Sequence, residues 1–155
     1  MPNTLQGEIK QTRPFHSLEQ EAMLSIERTA AVFLHRAAET FKPFGITQTQ
    51  YNVLRIMRGA GAGGLCRNEI RDRLVSQVPD VTRLLDRMEE AGLIVRERDT
   101  VDRRMVTTRI TRPGLLLLEK LDEPVALAHH RDLGHLTGEQ LTSLIDLLAL
   151  ARSAP

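Results

Sequence analysis

The chain has 155 residues, 41% hydrophobic and 26% charged, which is typical of one globular domain that needs no disulfide framework. Its net charge of +1 taken alone argues against a nucleic-acid-binding protein, because such proteins usually carry a large positive excess. No apolar run is long enough for a membrane span or a signal peptide, so we expect a cytoplasmic protein with no membrane partner.

The basic residues are unevenly distributed along the chain. Of the 21 lysines and arginines, 18 are arginine, and 11 of these lie between Leu65 and Arg112. Arginine has a planar fork of donors that suits phosphates and guanine edges. A GC-rich genome would account for the excess of arginine over lysine, but not for the clustering.

The sequence predicts a polar, flexible arm over residues 1–16, followed by one long helix. Ser17 and Gln20 have the spacing of a helix-capping box, and apolar residues then recur every three or four positions over about 25 residues. Proline disfavours helix at the residue before it, so we expect the helix to end near Pro43.

The sequence then predicts a second long helix and, after it, two short helices. Thr47 and Gln50 form another capping box, and the helix that they start stops in a glycine-rich loop at 59–64. The next helices are predicted over about 68–74 and 79–91, with Pro79 in the first turn of the second. Two short helices joined by a tight turn predict a helix-turn-helix.

A β-hairpin and two leucine-rich helices complete the predicted order. The β-prone segments are 94–98 and 105–110, and they flank a charged turn. The helices are expected over about 115–131 and after Thr137, which forms a third capping box with Gln140. Their leucines exceed what one small domain needs to bury, which favours a dimer interface over a monomeric helical core.

The helix predicted over 79–91 carries the pattern that points to DNA. Arg83 and Arg87 lie one turn apart on its outward face, where they could reach guanine or phosphate. The alternative is a solvated face with ion pairs among Asp80, Arg83 and Arg87.

The hairpin favours the DNA interpretation. From Arg96 to Arg112 there are six arginines against three acids, and the tip is Asp102-Arg103-Arg104. Such a tip could place an arginine in a narrow minor groove, with Asp102 holding it in position.

Four features follow one another along the chain: the run from Pro79 to Ile94, then Arg96, then Asp102-Arg103-Arg104 and then Ile110-Thr111-x-x-Gly114. In this order they resemble the winged helix-turn-helix of the MarR family of bacterial transcription regulators. The resemblance implies a mainly α fold with a small β-hairpin. It implies one domain over 17–155, with dimerisation helices at 17–46 and 113–155 around a winged helix-turn-helix at 47–112. The implied function is binding of a palindromic double-stranded DNA operator as a homodimer, usually as a repressor and not as an enzyme.

The predicted DNA contacts lie at the start of the recognition helix and at the wing tip. They are Gln77, Asp80, Thr82, Arg83, Arg87, Asp102, Arg103 and Arg104. The resemblance makes Arg104 the minor-groove contact and Asp102 its partner. The chain departs from the family's Ser/Thr-rich helix start at 77–80, where Asp80 would repel phosphates unless it is paired.

The resemblance also implies a small aromatic or phenolic effector, held between the dimer helices and the winged unit. Position makes His35, Tyr51, Arg55 and Met57 the candidate lining residues. No Cys or carboxylate cluster joins His129, His130 and His135, so we expect no metal site and no cofactor. Two alternatives stay open: a redox-sensing regulator that acts through Cys66, and a winged-helix protein-interaction module that does not bind DNA.

Overall fold

The computed structural model describes residues 4–153, and the chain divides into two compact units at Glu39 and Thr40. The first unit contains helix α1 (Leu5–Glu8) and all but the end of helix α2 (Leu18–Phe41). The arm predicted without regular structure therefore contains one helical turn, closed by a hydrogen bond of 3.1 Å from Glu8 N to Thr4 O. The polar sequence did not predict this turn, because α1 buries no residue and so has no pattern of buried positions.

Helix α2 begins and ends close to the predicted residues. Ser17 Oγ accepts a hydrogen bond from Gln20 N at 3.2 Å, whereas the Gln20 side chain accepts from His16 N instead of closing the predicted box. After Phe41 the chain forms a 3₁₀ turn over Lys42–Phe44, and Gly45 follows with a φ of 70°. The proline thus ends the helix as predicted.

The second unit opens with helix α3 (Gln48–Ala60), which the predicted capping box starts. Gln50 N donates to Thr47 Oγ1 at 3.1 Å, and Thr47 N donates to Gln50 Oε1 at 3.0 Å. The buried face of α3 contributes Val53 and Leu54 to the core. A 3₁₀ turn over Gly61–Gly63 follows in the glycine-rich loop.

A small antiparallel sheet accompanies the two short helices. Its strands are β1 (Leu65–Cys66), β2 (Ile94–Arg98) and β3 (Val106–Ile110), in the order β1-β3-β2. The hairpin of β2 and β3 was predicted, with Arg96 opposite Thr108. Strand β1 was not, because two residues are too few to show a period-2 pattern.

The helix-turn-helix consists of α4 (Arg67–Arg73) and α5 (Val81–Glu90). The prediction that Pro79 lies in the first turn of α5 is wrong, since Asp80 is the N-cap and its Oδ1 accepts from Arg83 N at 2.9 Å. A capping carboxylate satisfies a free backbone N–H, so the helix starts after it. The other end is as predicted: Gly92 has a φ of 74°, and Leu93 N donates to Met88 O at 3.0 Å.

The core lies beneath α5 and the sheet. It is aliphatic, and its fully buried apolar members are Val53, Leu54, Met57, Ile70, Leu85, Met88, Ile94, Leu118 and Leu121. Gly114 allows the start of the sixth helix to approach the turn after α5, because a Cβ there would collide with the Leu93 carbonyl oxygen.

Two helices end the chain, α6 (Arg112–Leu133) and α7 (Gly138–Arg152). Thr111 caps α6, and the predicted box of Thr137 and Gln140 caps α7. Helix α7 buries none of its residues in the single chain. Within residues 4–153, no helix has both the length and the apolar character needed to cross a bilayer.

Candidate nucleic-acid interface

The structure brings together the residues predicted at the start of the recognition helix. Gln77, Asp80, Arg83 and Arg87 are all exposed, and all four line one groove of about 500 Å³. The first turn of α3 forms the facing wall, with Thr47 among its residues. In a helix-turn-helix, the N-terminal residues of the exposed second helix are the ones that contact base edges in the major groove of DNA.

The arginines of this groove have no acidic partner. In the described part of the chain, no ion pair or side-chain hydrogen bond joins Arg83 or Arg87 to a carboxylate. Asp80, the acid that could have paired with them, accepts from the backbone of Arg83 instead. The alternative of a face linked by its own ion pairs therefore does not describe α5, and both guanidinium groups are available to a ligand.

Thr82 and Arg104 lie on a second cleft of about 490 Å³, between α5 and the wing. Arg67 at the start of α4 donates from Nη1 to Thr82 Oγ1 at 3.1 Å and joins the two helices of the motif. Arg67 was not among the predicted contacts, although the sequence showed a basic residue near the start of the first short helix. Cys66 is half-buried, forms no disulfide and lines the same cleft.

The wing tip is a tight turn organised by Asp102. Its Oδ1 accepts from Arg104 N at 3.0 Å, and its carbonyl oxygen accepts from Met105 N at 2.9 Å. The carboxylate of Asp102 thus contacts Arg104 through the backbone amide and not through the guanidinium group. Arg103 and Arg104 occupy the two central positions of the turn and are exposed.

A second aspartate fixes the base of this turn. Asp99 Oδ1 accepts from Val101 N at 2.7 Å and from Asp102 N at 3.0 Å. These two backbone hydrogen bonds, the one from Asp102 being the larger contribution, hold the pKa of Asp99 below its usual value. The sequence showed Asp99 only as one charge of a polar turn.

Arg96 has a structural role. It was expected to add to the free positive charge of the wing, and it does not. Its Nη2 donates to Glu89 Oε2 at 2.7 Å and to Asp86 Oδ1 at 2.5 Å. Hydrogen bonds from Arg96 hold the pKa of Glu89 below its usual value, and the same bonds raise the pKa of Arg96. Asp86 therefore belongs to the link between α5 and β2.

Arg109 is likewise used inside the wing. It donates from Nη1 to Glu97 Oε2 at 2.8 Å across the hairpin, and from Nε to Ala62 O at 3.0 Å in the glycine-rich loop. Within residues 4–153, the wing-region arginines without an acidic partner are Arg98, Arg103, Arg104 and Arg112. The free charge is thus concentrated toward the wing tip and the ends of the hairpin.

Three of the four candidate effector residues lie on α3. Tyr51 is buried against Phe41, with ring centroids 4.7 Å apart, and the Arg55 guanidinium lies 6.0 Å from the Tyr51 ring centroid. Met57 is 0% exposed within the core, so it offers no surface to a ligand, contrary to expectation. His35 is exposed on α2, in the other unit.

A helix-turn-helix followed by a hairpin with free arginines at its tip defines a winged-helix protein of the DNA-binding class. The model of the MarR family matches residues 44–105. The crystal structure of a MarR transcription factor from Planctomyces limnophilus is 42% identical, covering 88% of this chain and 99% of that one with a TM-score of 0.69. The chain belongs to the MarR family, whose members are DNA-binding transcription regulators and not enzymes.

Two further relatives cover nearly the whole chain. The transcriptional repressor MdtR of Bacillus subtilis is 28% identical over 138 residues, which are 88% of this chain and 88% of MdtR. BpsR of Bordetella bronchiseptica, whose DNA binding is regulated by 6-hydroxynicotinic acid, is 21% identical, with a TM-score of 0.78 over 92% of this chain and 100% of that one. The likeness to BpsR is one of fold.

Proposed function

We propose that the chain is a sequence-specific regulator that binds a palindromic operator as a homodimer, with α5 in the major groove and the wing tip in the minor groove. One observation carries this proposal. Arg83 and Arg87 on α5, and Arg103 and Arg104 at the wing tip, are exposed and have no acidic partner among residues 4–153. Guanidinium groups in such positions suit guanine edges and narrow minor grooves.

The homodimer is supported by apolar surface at the C-terminal end. Ile145, Leu147 and Leu150 of α7 are 64%, 65% and 68% exposed in the single chain, and Leu127 of α6 is 61% exposed. Large apolar side chains exposed around much of one helix favour burial of that helix against a partner. A two-fold dimer requires a palindrome, with half-sites about 34–36 Å apart along the DNA.

Repression and release by an effector are the finer parts of the proposal. The MdtR relative is a repressor, and a dimer on an operator blocks access to that DNA by occupying it. The likeness to BpsR suggests release by a small aromatic acid or phenol. Tyr51 and Arg55 are the residues that we propose for contact with such a ligand, because the Arg55 guanidinium lies 6.0 Å from the Tyr51 ring centroid. The place of action that we propose is the cytoplasm.

Selection of random-sequence DNA by the purified full chain tests the function. We expect an enriched palindrome, bound as two chains per duplex and more weakly as salt rises, because arginine–phosphate contacts release counterions. A repeat of the selection with small aromatic acids present tests release. Failure to enrich any sequence would contradict sequence-specific binding and would favour the protein-interaction module.

A further inference from the structure

We infer that Asp80 is a base-reading residue that selects cytosine in each half-site. The inference deepens the proposed DNA-binding function and rests on it. An acid at the start of a recognition helix is unexpected, because phosphates repel it. Its position and its hydrogen bonding in the structure explain how the acid can serve specificity.

Asp80 lies where a recognition helix meets the bases. It is the N-cap of α5, it is exposed, and it lines the same groove as Gln77, Arg83 and Arg87. The N-terminal residues of a recognition helix are the ones that contact base edges. The carboxylate therefore enters the major groove if α5 does.

Among residues 4–153, one oxygen of the Asp80 carboxylate accepts a hydrogen bond and the other does not. Oδ1 accepts from Arg83 N at 2.9 Å, which caps the helix and fixes the side chain. Among residues 4–153, no other hydrogen bond or ion pair to the Asp80 carboxylate is present, so Oδ2 can accept a hydrogen bond from outside the chain. A fixed acceptor with one unused oxygen is suited to reading a single donor.

The major-groove chemistry of the four bases then decides which base is read. Guanine and thymine present acceptors there, which repel a carboxylate. Adenine presents a donor, but its N7 acceptor lies beside it. Cytosine presents its N4 amine, a donor that a carboxylate accepts from, so cytosine is the base that Asp80 tolerates best.

Arg83 supports the same base pair. It is three residues after Asp80, so the two side chains leave the same side of the first helical turn. Its guanidinium has no acidic partner among the described residues and can donate to guanine O6 and N7. A carboxylate and a guanidinium side by side therefore match the two halves of a C·G pair.

The variant Asp80→Asn separates base reading from helix capping. Asparagine caps as well as aspartate does, so the thermal unfolding midpoint should stay unchanged. Both proteins are titrated by mobility shift against the selected operator and against duplexes in which each base pair is changed in turn in both half-sites. Asp80→Ser, which also keeps a cap, is a second variant in case the amide makes new contacts.

We expect one position at which a change from C·G weakens wild-type binding by about tenfold or more. With Asp80→Asn that preference should disappear or shift to adenine, which asparagine reads through N6 and N7. Arg104→Ala is the matched control, because it should weaken binding to every duplex without changing the preference at that position.

The outcomes separate the two proposals. If the wild type selects no operator, the proposed function fails. If it selects one and both Asp80 variants keep the wild-type preference at every position, the inference about Asp80 is overturned. A uniform gain of affinity for all duplexes would also overturn it, since that result needs only the loss of a repelling charge.

Discussion

Arg96 of β2 donates three hydrogen bonds to the carboxylate of Glu89 of α5, from its backbone N at 2.8 Å, from Nε at 3.1 Å and from Nη2 at 2.7 Å. The pair joins the first strand of the wing to the recognition helix. Both elements carry proposed DNA contacts, so the relative position of those contacts depends on this pair. The pair of Arg96 and Glu89 therefore has a structural role, although both residues lie among the charged residues that suggested DNA binding.

Removal of this link should destabilise the protein. We expect Arg96→Ala to lower the free energy of unfolding by roughly 1–2 kcal/mol, an amount reduced from that of a buried pair by solvent screening. Glu89 is 35% exposed, which is the reason for the reduction. Urea unfolding at pH 7 measures the change.

Arg98→Ala is the matched control on the same strand. Arg98 is exposed and has no acidic partner within residues 4–153, so its loss should change the free energy of unfolding by less than about 0.5 kcal/mol. Equal effects of the two substitutions would remove the special role of Arg96.

The same pair predicts a dependence of stability on pH. Hydrogen bonds from Arg96 lower the pKa of Glu89 in the folded protein. Its contribution is therefore complete above the unfolded glutamate pKa of about 4.3, and it is lost as the pH falls below that value through the folded pKa. Urea titrations of wild type and Glu89→Gln should differ at pH 7 and converge in acid. A difference that stays constant with pH would contradict this role.

Asp102 should help DNA binding by shaping the wing turn, even though its charge opposes binding. We expect Asp102→Ala to weaken operator binding by about fivefold, which corresponds to about 1 kcal/mol for one turn hydrogen bond. Asp102→Asn should bind at least as well as the wild type, because asparagine keeps the turn without the negative charge. Mobility-shift titration measures the affinity of each variant for the operator. If Asp102 acted through its charge alone, both variants would bind more tightly than the wild type, and that result would contradict the role of the turn.

The exposed face of α7 should hold the dimer together. We expect Ile145→Asp to convert the dimer to a monomer without unfolding the chain, because this side chain is 64% exposed before any partner binds. Arg98→Asp, which places the same side chain at an exposed position of the wing, should leave the dimer intact. Sedimentation equilibrium gives the masses, and a monomeric wild type or a dimeric Ile145→Asp would count against this interface.

Local signals in the sequence were enough to place most of the helices. The capping boxes at Thr47 and Thr137 fixed two helix starts, because each box depends on residues only three apart. Strand β1 was missed because it is defined only by pairing with β3, more than 40 residues later. Pairing of this kind leaves no trace in a two-residue segment.

The candidate site was predicted as a set of residues, but the roles within it were not. Whether an arginine is free to bind DNA depends on contacts with residues seven to 47 positions away in the chain. Examples are the contacts of Arg96 with Glu89 and of Arg109 with Ala62. The sequence could count arginines but could not separate these two from Arg103 and Arg104. In the same way, it could not show that Met57 faces the core.

Hydroxyl-radical footprinting of the chain on its selected operator tests the central claim most directly. We predict a two-fold symmetric footprint with half-sites about 34–36 Å apart, and minor-groove protection that disappears with Arg104→Ala, which should bind at least about tenfold more weakly. The fold of that variant should stay intact, because no hydrogen bond of the Arg104 side chain is present within residues 4–153. An asymmetric or absent footprint, or an Arg104→Ala variant with an unchanged footprint and affinity, would contradict the account.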